Sequence, residues 1–381
     1  MRTKLTIFVL ATFLLGIFGL AEDTIKIGLF VPLTGFAAAD GHSALVGAQI
    51  AVDFVNSAGG INGVPLELVY YDDACRADQA SAIARKLIEQ DKVVIAISGS
   101  YSTPTRAAAT IFQQAGVPLI SAYAIHPSII ETGNFIFRVG MGAPVEGIAG
   151  AYLAVEKLGA KRIALLTIDN DFGISLTKYF KNTVLQLGAE IVFEKRYPLG
   201  ESEFREVLSS ICAKNPDLIW APGYYAEAAN IVSQARELGI EATIVGQEGY
   251  DSPKFIELAG EAAEGVIIVT DLNRDSDRPV VQQFLQEFQT RAGIPADMVG
   301  ASAFDAVKVA AHALAQAGTD PDAIAAAING IRHMEDVVTG PFYAFLGREA
   351  IRPVEVQIVK GGEFHFFHTY TDPMIIIPPA L

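Results

Sequence analysis

Short runs of apolar residues alternate along the chain with stretches whose apolar positions recur at helical spacing. In the first half, the pattern predicts strands at 24–31, 66–71, 93–98 and 118–121, with helices at 44–56, 78–90 and 104–115 between them. Such alternation is typical of βαβ units around a parallel sheet. Because the strands show little polar alternation, we expect helices to cover both faces of the sheet.

The same alternation restarts near residue 162, which predicts a second α/β half. Its expected strands are 162–167, 190–197, 217–220, 243–246 and 265–269, and its expected helices are 173–187, 204–213, 226–238 and 252–259. Helices at 279–292, 299–317 and 321–331 follow, and then a β-hairpin formed by 354–360 and 363–369. No low-complexity linker or charge block separates the halves. Several short crossings that form a hinge are therefore favoured over two independent domains.

The first 21 residues have the pattern of a cleaved signal peptide. A basic start precedes an apolar run over 5–20, and small residues at Gly19 and Ala21 come directly before an acidic pair. An uncleaved membrane anchor is the alternative, because roughly 17 apolar residues can span a bilayer. The small-residue cleavage site favours export and cleavage near Ala21. We expect no later segment to reach the length of a spanning helix, so the mature chain should be free outside the cytoplasm.

Length, composition and charge narrow the class of protein. Of 381 residues, 51% are hydrophobic, and single cores stop growing near roughly 250–300 residues, so two lobes are expected. A net charge of −15 argues against a nucleic-acid partner, which needs clustered Lys and Arg. Two cysteines, Cys75 and Cys212, exclude a disulfide scaffold, and a single bridge between them is improbable if they lie in different lobes.

Ligands of open parallel sheets bind beyond the carboxyl ends of the strands. The loops to search are therefore 32–42, 98–103, 122–127, 168–173, 221–225 and 246–251. Hydroxyl groups at the start of the helix after residue 98 suit a carboxylate, although an ordinary N-cap is the alternative. Glu248 is either an acceptor for an ammonium group or a solvated loop acid. Phe172 and Tyr224 are either a ligand wall or ordinary packing.

A series of motifs resembles the periplasmic leucine/isoleucine/valine-binding proteins, the branched-chain amino-acid group of type I periplasmic binding proteins. The longest are Val-Asn-Ser-Ala-Gly-Gly-Ile-Asn-Gly at 55–63 and Val-Tyr-Tyr-Asp-Asp-Ala-Cys at 69–75. Shorter ones follow in the family's order at 100–103, 171–173, 223–224, 234–236, 246–249 and 339–341. They span almost the whole chain beyond the leader, and a set of weak motifs in register is far more specific than any one of them.

The resemblance implies a Venus-flytrap fold of two Rossmann-like lobes joined by a three-crossing hinge. The first lobe would comprise 22–141 with 272–352, and the second 142–271 with 353–381. It also implies a periplasmic substrate-binding protein that delivers an amino acid, neutral or branched-chain, to the permease subunits of an ABC importer. An amide, urea-like or aromatic carboxylate ligand remains the alternative.

The resemblance further implies a division of labour between the lobes. Ser102, or Ser100 if the alignment is shifted, would hold the ligand carboxylate, with Tyr101 and Thr103 beside it. Glu248 would pair with the ammonium group. The same resemblance has Phe172 and Tyr224 close over the ligand and places Ala124 in the neighbouring loop of the first lobe.

Several positions depart from the family's pattern. Ile125 stands where a threonine helps to hold the ligand's charged end, and Tyr123 stands where a small residue is usual. Asp40 replaces an aromatic residue in the first loop, where it meets either a polar ligand group or solvent. Phe172 lacks the tyrosine hydroxyl. Tyr101 occupies the place of the cysteine that would pair with Cys75, so that bridge cannot form.

Other functions find less support. The chain carries no Gly-x-Ser-x-Gly elbow, Walker loop or His-rich metal signature, so we expect no catalysis, cofactor or bound metal. His365 and His368 lie three apart on a predicted strand, where they would face opposite sides and could not share a metal. A sensory protein of the same fold is the remaining alternative, and the leader argues against it.

Overall fold

The computed structural model describes residues 24–379. Its strands are β1 (Ile25–Val31), β2 (Leu66–Asp72), β3 (Ile95–Ser98), β4 (Leu119–Ser121), β5 (Ile136–Arg138), β6 (Arg162–Ile168), β7 (Glu190–Tyr197), β8 (Leu218–Trp220), β9 (Thr243–Gly246), β10 (Ile267–Thr270), β11 (Ala344–Leu346), β12 (Glu349–Ile351), β13 (Val354–Lys360) and β14 (Glu363–Tyr370).

Its helices are α1 (Ala38–Ser57), α2 (Ala77–Lys86), α3 (Ser102–Ala115), α4 (Pro127–Glu131), α5 (Ala143–Tyr152), α6 (Asp171–Gln186), α7 (Arg205–Cys212), α8 (Tyr225–Glu237), α9 (Pro253–Ala259), α10 (Pro279–Ala292), α11 (Met298–Ala317), α12 (Pro321–Gly330) and α13 (Pro373–Ile376). Two π-helical turns, Leu87–Asp91 and Leu153–Lys157, continue α2 and α5. Two 3₁₀ turns lie at Glu248–Tyr250 and Gly260–Ala263.

The strands form two seven-stranded sheets, one in each lobe. The first has the order β11-β12-β5-β4-β3-β1-β2, and the second the order β14-β13-β10-β9-β8-β6-β7. Strands β1 to β5 pair in parallel, as do β6 to β10, and antiparallel pairs occur at the edges formed by β11–β12 and by β13–β14. The two α/β lobes expected from the sequence are therefore confirmed.

The first sheet lies between two layers of helices, and β1 shows why its strands lack polar alternation. Ile27 and Leu29 belong to one buried cluster, which also contains side chains of α1 and α11. Phe30 belongs to a second cluster, on the opposite face, with side chains of α2 and α3. Because successive residues of a strand point to opposite faces, both faces of β1 are buried and both demand apolar residues.

Helices α1 and α11 cross in unusually close contact. A Cβ atom on Gly47 would lie 1.9 Å from the carbonyl oxygen of Gly300. No side chain fits at that separation, so a glycine in the middle of α1 is required by packing even though it lowers helix propensity. The contact fixes α11 against α1 and so places the beginning of α11 beside the first turn of α1.

The chain passes between the sheets three times: after β5, after β10 and between β12 and β13. Two of these crossings are joined by a buried ion pair, because Arg352, which follows β12, contacts Asp271, which follows β10. The Arg352 guanidinium also donates to the carbonyl oxygen of Thr339 at 3.2 Å. The crossings are therefore tied to one another as well as to their lobes.

The sequence prediction was wrong in several local features. Strand β5, helix α5 and the β11–β12 pair were not predicted, and α1 begins six residues earlier than expected, at Ala38. Helix α11 is, by length and composition alone, apolar enough to span a membrane, contrary to the expectation for later segments, but most of it is buried in the first lobe.

Both thiols, Cys75 and Cys212, are free. The predicted signal peptide over 1–21 lies outside the described residues.

Candidate functional site

A small cavity lies where the carboxyl ends of the two sheets face each other. Its walls come from loops that follow β3, β4, β6, β8 and β9 and from the first turns of α1 and α11. The lining residues are Asp40, Tyr101, Ser102, Tyr123, Ala124, Phe172, Tyr224, Glu248, Gly249, Met298 and Val299. The space measures about 20 Å³, room for roughly one water. A larger molecule therefore enters this site only when the lobes move apart.

On the first-lobe side, helix α3 presents its N-terminus to the cavity. The N-cap residue, Tyr101, makes no side-chain cap, so the first N–H groups of α3 are left for another acceptor. Ser102 Oγ accepts a hydrogen bond from the His126 N–H at 3.3 Å, which leaves the hydroxyl proton of Ser102 for donation. Backbone donors, a hydroxyl and the positive end of the helix dipole suit a carboxylate.

On the second-lobe side, the turn after β9 presents Glu248. The preceding residue fixes this turn, because the Gln247 side chain accepts from the Gly249 N–H at 2.6 Å and donates to the Gly223 carbonyl at 2.8 Å. Glu248 is only 4% exposed. Within residues 24–379, no group donates to its Oε2. A buried carboxylate oxygen with no donor is costly unless a ligand satisfies it.

A second buried acid lies behind Glu248. Glu146, in the first turn of α5, accepts the Glu248 N–H on its Oε1 at 3.0 Å, and its other oxygen has no donor in the described chain. Burial raises the pKa of Glu146 to about 8. Burial raises the pKa of Glu248 well above its ordinary value, and the charge of Glu146 adds to the effect. Such a pair favours a cation or a shared proton.

Stacked aromatic rings line the cleft between the acid and the helix terminus. The rings of Tyr101 and Tyr224, from opposite lobes, lie 4.3 Å apart between centroids at an interplanar angle of 7°. Phe172 stacks on the other side of Tyr224 at 5.1 Å. Tyr123 packs edge-on against Tyr101 and donates its hydroxyl to the Gly99 carbonyl at 2.7 Å. Together these aromatic side chains give the cavity an apolar wall, which suits an aliphatic part of a ligand.

Asp40 lies in a helix and not in a loop, which corrects the sequence analysis. It occupies the first turn of α1, and it is buried rather than solvated. The predicted helix began only at residue 44, so the first turn of α1 was left in the preceding loop. A Cβ on Gly41 would lie 2.0 Å from the Pro32 carbonyl oxygen, so the glycine permits a close approach of helix to loop. Tyr101 donates its hydroxyl to Asp40 Oδ2 at 2.6 Å.

Three of the expected site residues lie outside the cavity wall. Ser100 is buried against Asp73, whose pKa is raised by burial to about 6 and lowered in part by the Ser100 hydroxyl. Thr103 is exposed and donates to Asp171 across the cleft at 3.3 Å. Ile125 is buried, and its carbonyl accepts the Ala143 N–H at 3.0 Å. Of the two serines considered for a ligand carboxylate, only Ser102 lines the cavity.

Four residues of the site escaped the sequence analysis. Gly249, Met298 and Val299 line the cavity, and Glu146 supports Glu248 from behind. The start of α11 was predicted to within one residue, at 299 against the observed Met298, and the Asp297 carboxylate caps this helix by accepting the Gly300 N–H at 2.8 Å. Its nearness to the other loops depends on helix packing that no local pattern reveals.

Direct contacts between the lobes show that the cleft is closed. Arg106 on α3 forms an ion pair with Asp171 on α6, 2.7 Å between nitrogen and oxygen. The Tyr225 hydroxyl donates to the Phe36 carbonyl at 2.8 Å. Both contacts lie at the rim of the cavity. They shield the buried carboxyl groups from solvent. A molecule in the cavity must therefore supply a positive charge or hydrogen-bond donors to stabilise the ionised carboxylates.

Known proteins with similar sequences and structures were found over nearly all of the described chain. Residues 24–363 match the family model described as "Periplasmic binding protein". The leucine-, isoleucine-, valine-, threonine- and alanine-binding protein of Pseudomonas aeruginosa is 31% identical, with 82% of this chain and 83% of the relative covered.

Two solved structures share the fold closely. The leucine-binding protein LivK of Thermotoga maritima superposes with a TM-score of 0.83 at 30% identity, covering 91% of this chain and 98% of that one. The branched-chain amino-acid transporter substrate-binding protein LivJ of Streptococcus pneumoniae, in complex with isoleucine, superposes with a TM-score of 0.84 at 29% identity, covering 90% and 98%.

Proposed function

Since the chain belongs to the family of periplasmic leucine/isoleucine/valine-binding proteins, we propose that it captures an amino acid between its lobes and delivers it to the permease subunits of an ABC importer. The ligand is a neutral amino acid, with the branched-chain group included. The observation that carries the proposal is the pairing across one cavity of a buried acid, Glu248, with the start of α3 at Ser102.

An amino acid is a zwitterion, so a closed, dry site must supply donors for its carboxylate and an acceptor for its ammonium group. Ser102 and the first N–H groups of α3 are the donors. Glu248 is the acceptor, and Glu146 lies behind it as a second negative group. The aromatic side chains of Phe172 and Tyr224 form the apolar wall beside the aliphatic part of the ligand. An amide, urea-like or aromatic carboxylate ligand lacks the ammonium group that this arrangement suits.

Because Ser102 and Glu248 come from different lobes, a ligand that binds both stabilises a closed form over the open one. Since the cavity described above has room for about one water, this ligand-bound form is wider than the ligand-free one. We place the hinge at the three crossings and divide the chain into lobes 22–141 with 272–352 and 142–271 with 353–381. The composition of the two sheets supports this division. The buried ion pair of Arg352 with Asp271 gives the crossings a fixed relative position about which the lobes turn.

The proposed site of this activity is the periplasm, which the family and the signal-peptide pattern of the first 21 residues support. Cleavage near Ala21 releases the mature chain. N-terminal sequencing of the protein from a periplasmic extract tests this, with Glu22 expected as the first residue.

A thermal-shift screen tests the ligand class directly. The mature protein is heated with each amino acid in turn, and with amides, urea and aromatic carboxylates. A ligand at a hundredfold excess over its Kd stabilises the folded state by about 2.7 kcal/mol. We expect shifts with neutral amino acids. Shifts confined to the other compounds would contradict the proposal.

A further inference from the structure

Asp40 places a second carboxyl group in the ligand cavity, on the wall formed by the first lobe. Its side chain lines the cavity together with those of Tyr101 and Met298. The residue is 4% exposed. Oδ2 accepts the Tyr101 hydroxyl at 2.6 Å, whereas Oδ1 is buried and receives no hydrogen bond from any residue in 24–379. One oxygen of this carboxyl is therefore left for a donor inside the cavity.

Within residues 24–379, no Lys, Arg or His forms an ion pair with Asp40 or is among the groups that shift its pKa. The pKa of Asp40 is raised to about 7, mainly by burial and in smaller part by the charges of Asp297 and Asp251, while the hydrogen bond from Tyr101 acts in the opposite direction. The nearby acids are held by other partners. Asp297 accepts from the Ser43 hydroxyl at 2.6 Å, and Asp251 contacts Arg274. A hydrogen-bond donor on the ligand would satisfy Oδ1, while an aliphatic group would leave it unpaired.

In the proposed function, on which this inference rests, the start of α3 holds the ligand carboxylate and Glu248 holds the ammonium group. The part of the ligand left for Asp40 is therefore the side chain. We propose that Asp40 makes the site selective for amino acids whose side chain carries a hydroxyl or amide donor, over aliphatic amino acids of the same shape.

The size of the expected preference follows from the chemistry. A hydrogen bond to a charged group contributes about 1.5–3 kcal/mol, and sites built to bind a donor reject the analogue that lacks it because their polar group is left unpaired. Asp40 should therefore favour the donor-bearing ligand by about tenfold or more in Kd.

Isothermal titration calorimetry on the mature full-length chain tests this with two matched pairs: threonine against valine, and asparagine against leucine. Within each pair the shapes are nearly equal and the donor differs. We expect wild-type protein to bind threonine and asparagine at least about tenfold more tightly. Asp40→Leu should reverse both preferences. The control Asp53→Leu, which removes an exposed acid on the same helix, should leave them unchanged.

The outcomes separate this inference from the proposed function. If wild-type protein binds amino acids but prefers valine and leucine, the role of Asp40 is refuted while the proposed function stands. If it binds none of the four, the role of Asp40 is refuted, and the proposed function is refuted as well when the thermal-shift screen finds no other neutral amino acid that binds. The wild-type comparison does not depend on whether Asp40→Leu folds. Asp40→Ala, which removes both acceptor oxygens without adding bulk, is a second variant, and an unchanged preference for threonine and asparagine in it would also refute the role.

Discussion

The ring of Tyr101 stacks on the ring of Tyr224 across the cleft, 4.3 Å between centroids and nearly parallel. Tyr101 precedes α3 in the first lobe, and Tyr224 precedes α8 in the second. The pair therefore joins the lobes beside the ligand cavity, and it exists only when the cleft is closed. This aromatic contact therefore stabilises the closed form relative to the open form even without a ligand.

Removal of the stack should shift the protein toward the open form. An aromatic pair contributes about 0.5–1.5 kcal/mol beyond area burial, so Tyr101→Ala should change the open-to-closed ratio by about two- to tenfold. Tyr101→Phe keeps the ring and loses only the hydroxyl, which makes it the matched control. Distances between spin labels on the two lobes measure the ratio. Equal distance distributions for the two variants would show that the stack does not contribute.

Stability of the ligand-free protein should fall as pH rises from about 5 to 8. In the folded state, burial raises the pKa of Asp40 to about 7 and that of Glu146 to about 8, so the folded protein holds more protons than the unfolded chain above the ordinary carboxyl range. The contribution of these groups is complete below pH 4 and is lost as pH rises through the raised values.

Glu146→Gln removes one of these groups. As pH rises from about 5 to 8, the unfolding free energy of this variant should fall by at least about 1 kcal/mol less than that of the wild-type protein. Urea titration at a series of pH values measures both curves. Glu241→Gln, at an exposed acid of the same lobe, should follow the wild-type curve. A wild-type decline retained in full by Glu146→Gln would contradict the assignment.

Amino-acid binding should release protons. An ammonium group beside Glu248 and Glu146 favours their ionised forms, which lowers the pKa values that burial raises in the ligand-free site. Affinity should therefore increase with pH between about 6 and 8. Calorimetry in phosphate and in Tris buffer measures the release, because the two buffers have different heats of protonation. Identical binding enthalpies in the two buffers would be inconsistent with a protonated pair.

The close crossing of α1 and α11 predicts a stability effect far from the chemistry of the site. Gly47→Ala places a methyl group against the Gly300 carbonyl, and we expect a loss of about 1–3 kcal/mol in unfolding free energy. Gly330→Ala is the matched control, since a Cβ there meets nothing within 4 Å. Equal melting temperatures for the two variants would show that the helices separate at little cost.

Much of the fold was predictable from local patterns. Strand β9 and helix α10 match their predicted bounds, because Gly246 and Pro279 mark the end of one and the start of the other. The loops that carry Ser102 and Glu248 were singled out for a similar reason, whereas the choice of Ser102 among the hydroxyls of its loop came from the family resemblance. Each follows a buried strand, and loops at the carboxyl ends of parallel strands form the ligand sites of such sheets.

The rest depends on packing between distant segments. Gly41 lies in α1, although glycine is more typical of loops. A glycine is needed there because α1 approaches the Pro32 backbone too closely for a Cβ atom. Glu146 meets Glu248 across 102 positions of sequence, which no short window can reveal. Met298 reaches the cavity only because α11 packs on α1. Long-range contacts of this kind decide which polar groups are buried, and therefore how the site selects its ligand.

The most direct test of the account measures amino-acid affinity in Glu248→Gln. Removing one member of a buried charge pair costs about 3–5 kcal/mol, so the affinity for neutral amino acids should fall by at least about a hundredfold in calorimetry on the mature protein. Glu264→Gln, at an exposed acid of the same lobe, should bind like wild type. If Glu248→Gln binds amino acids as tightly as the wild-type protein, the ammonium group does not meet this residue and the central claim is wrong.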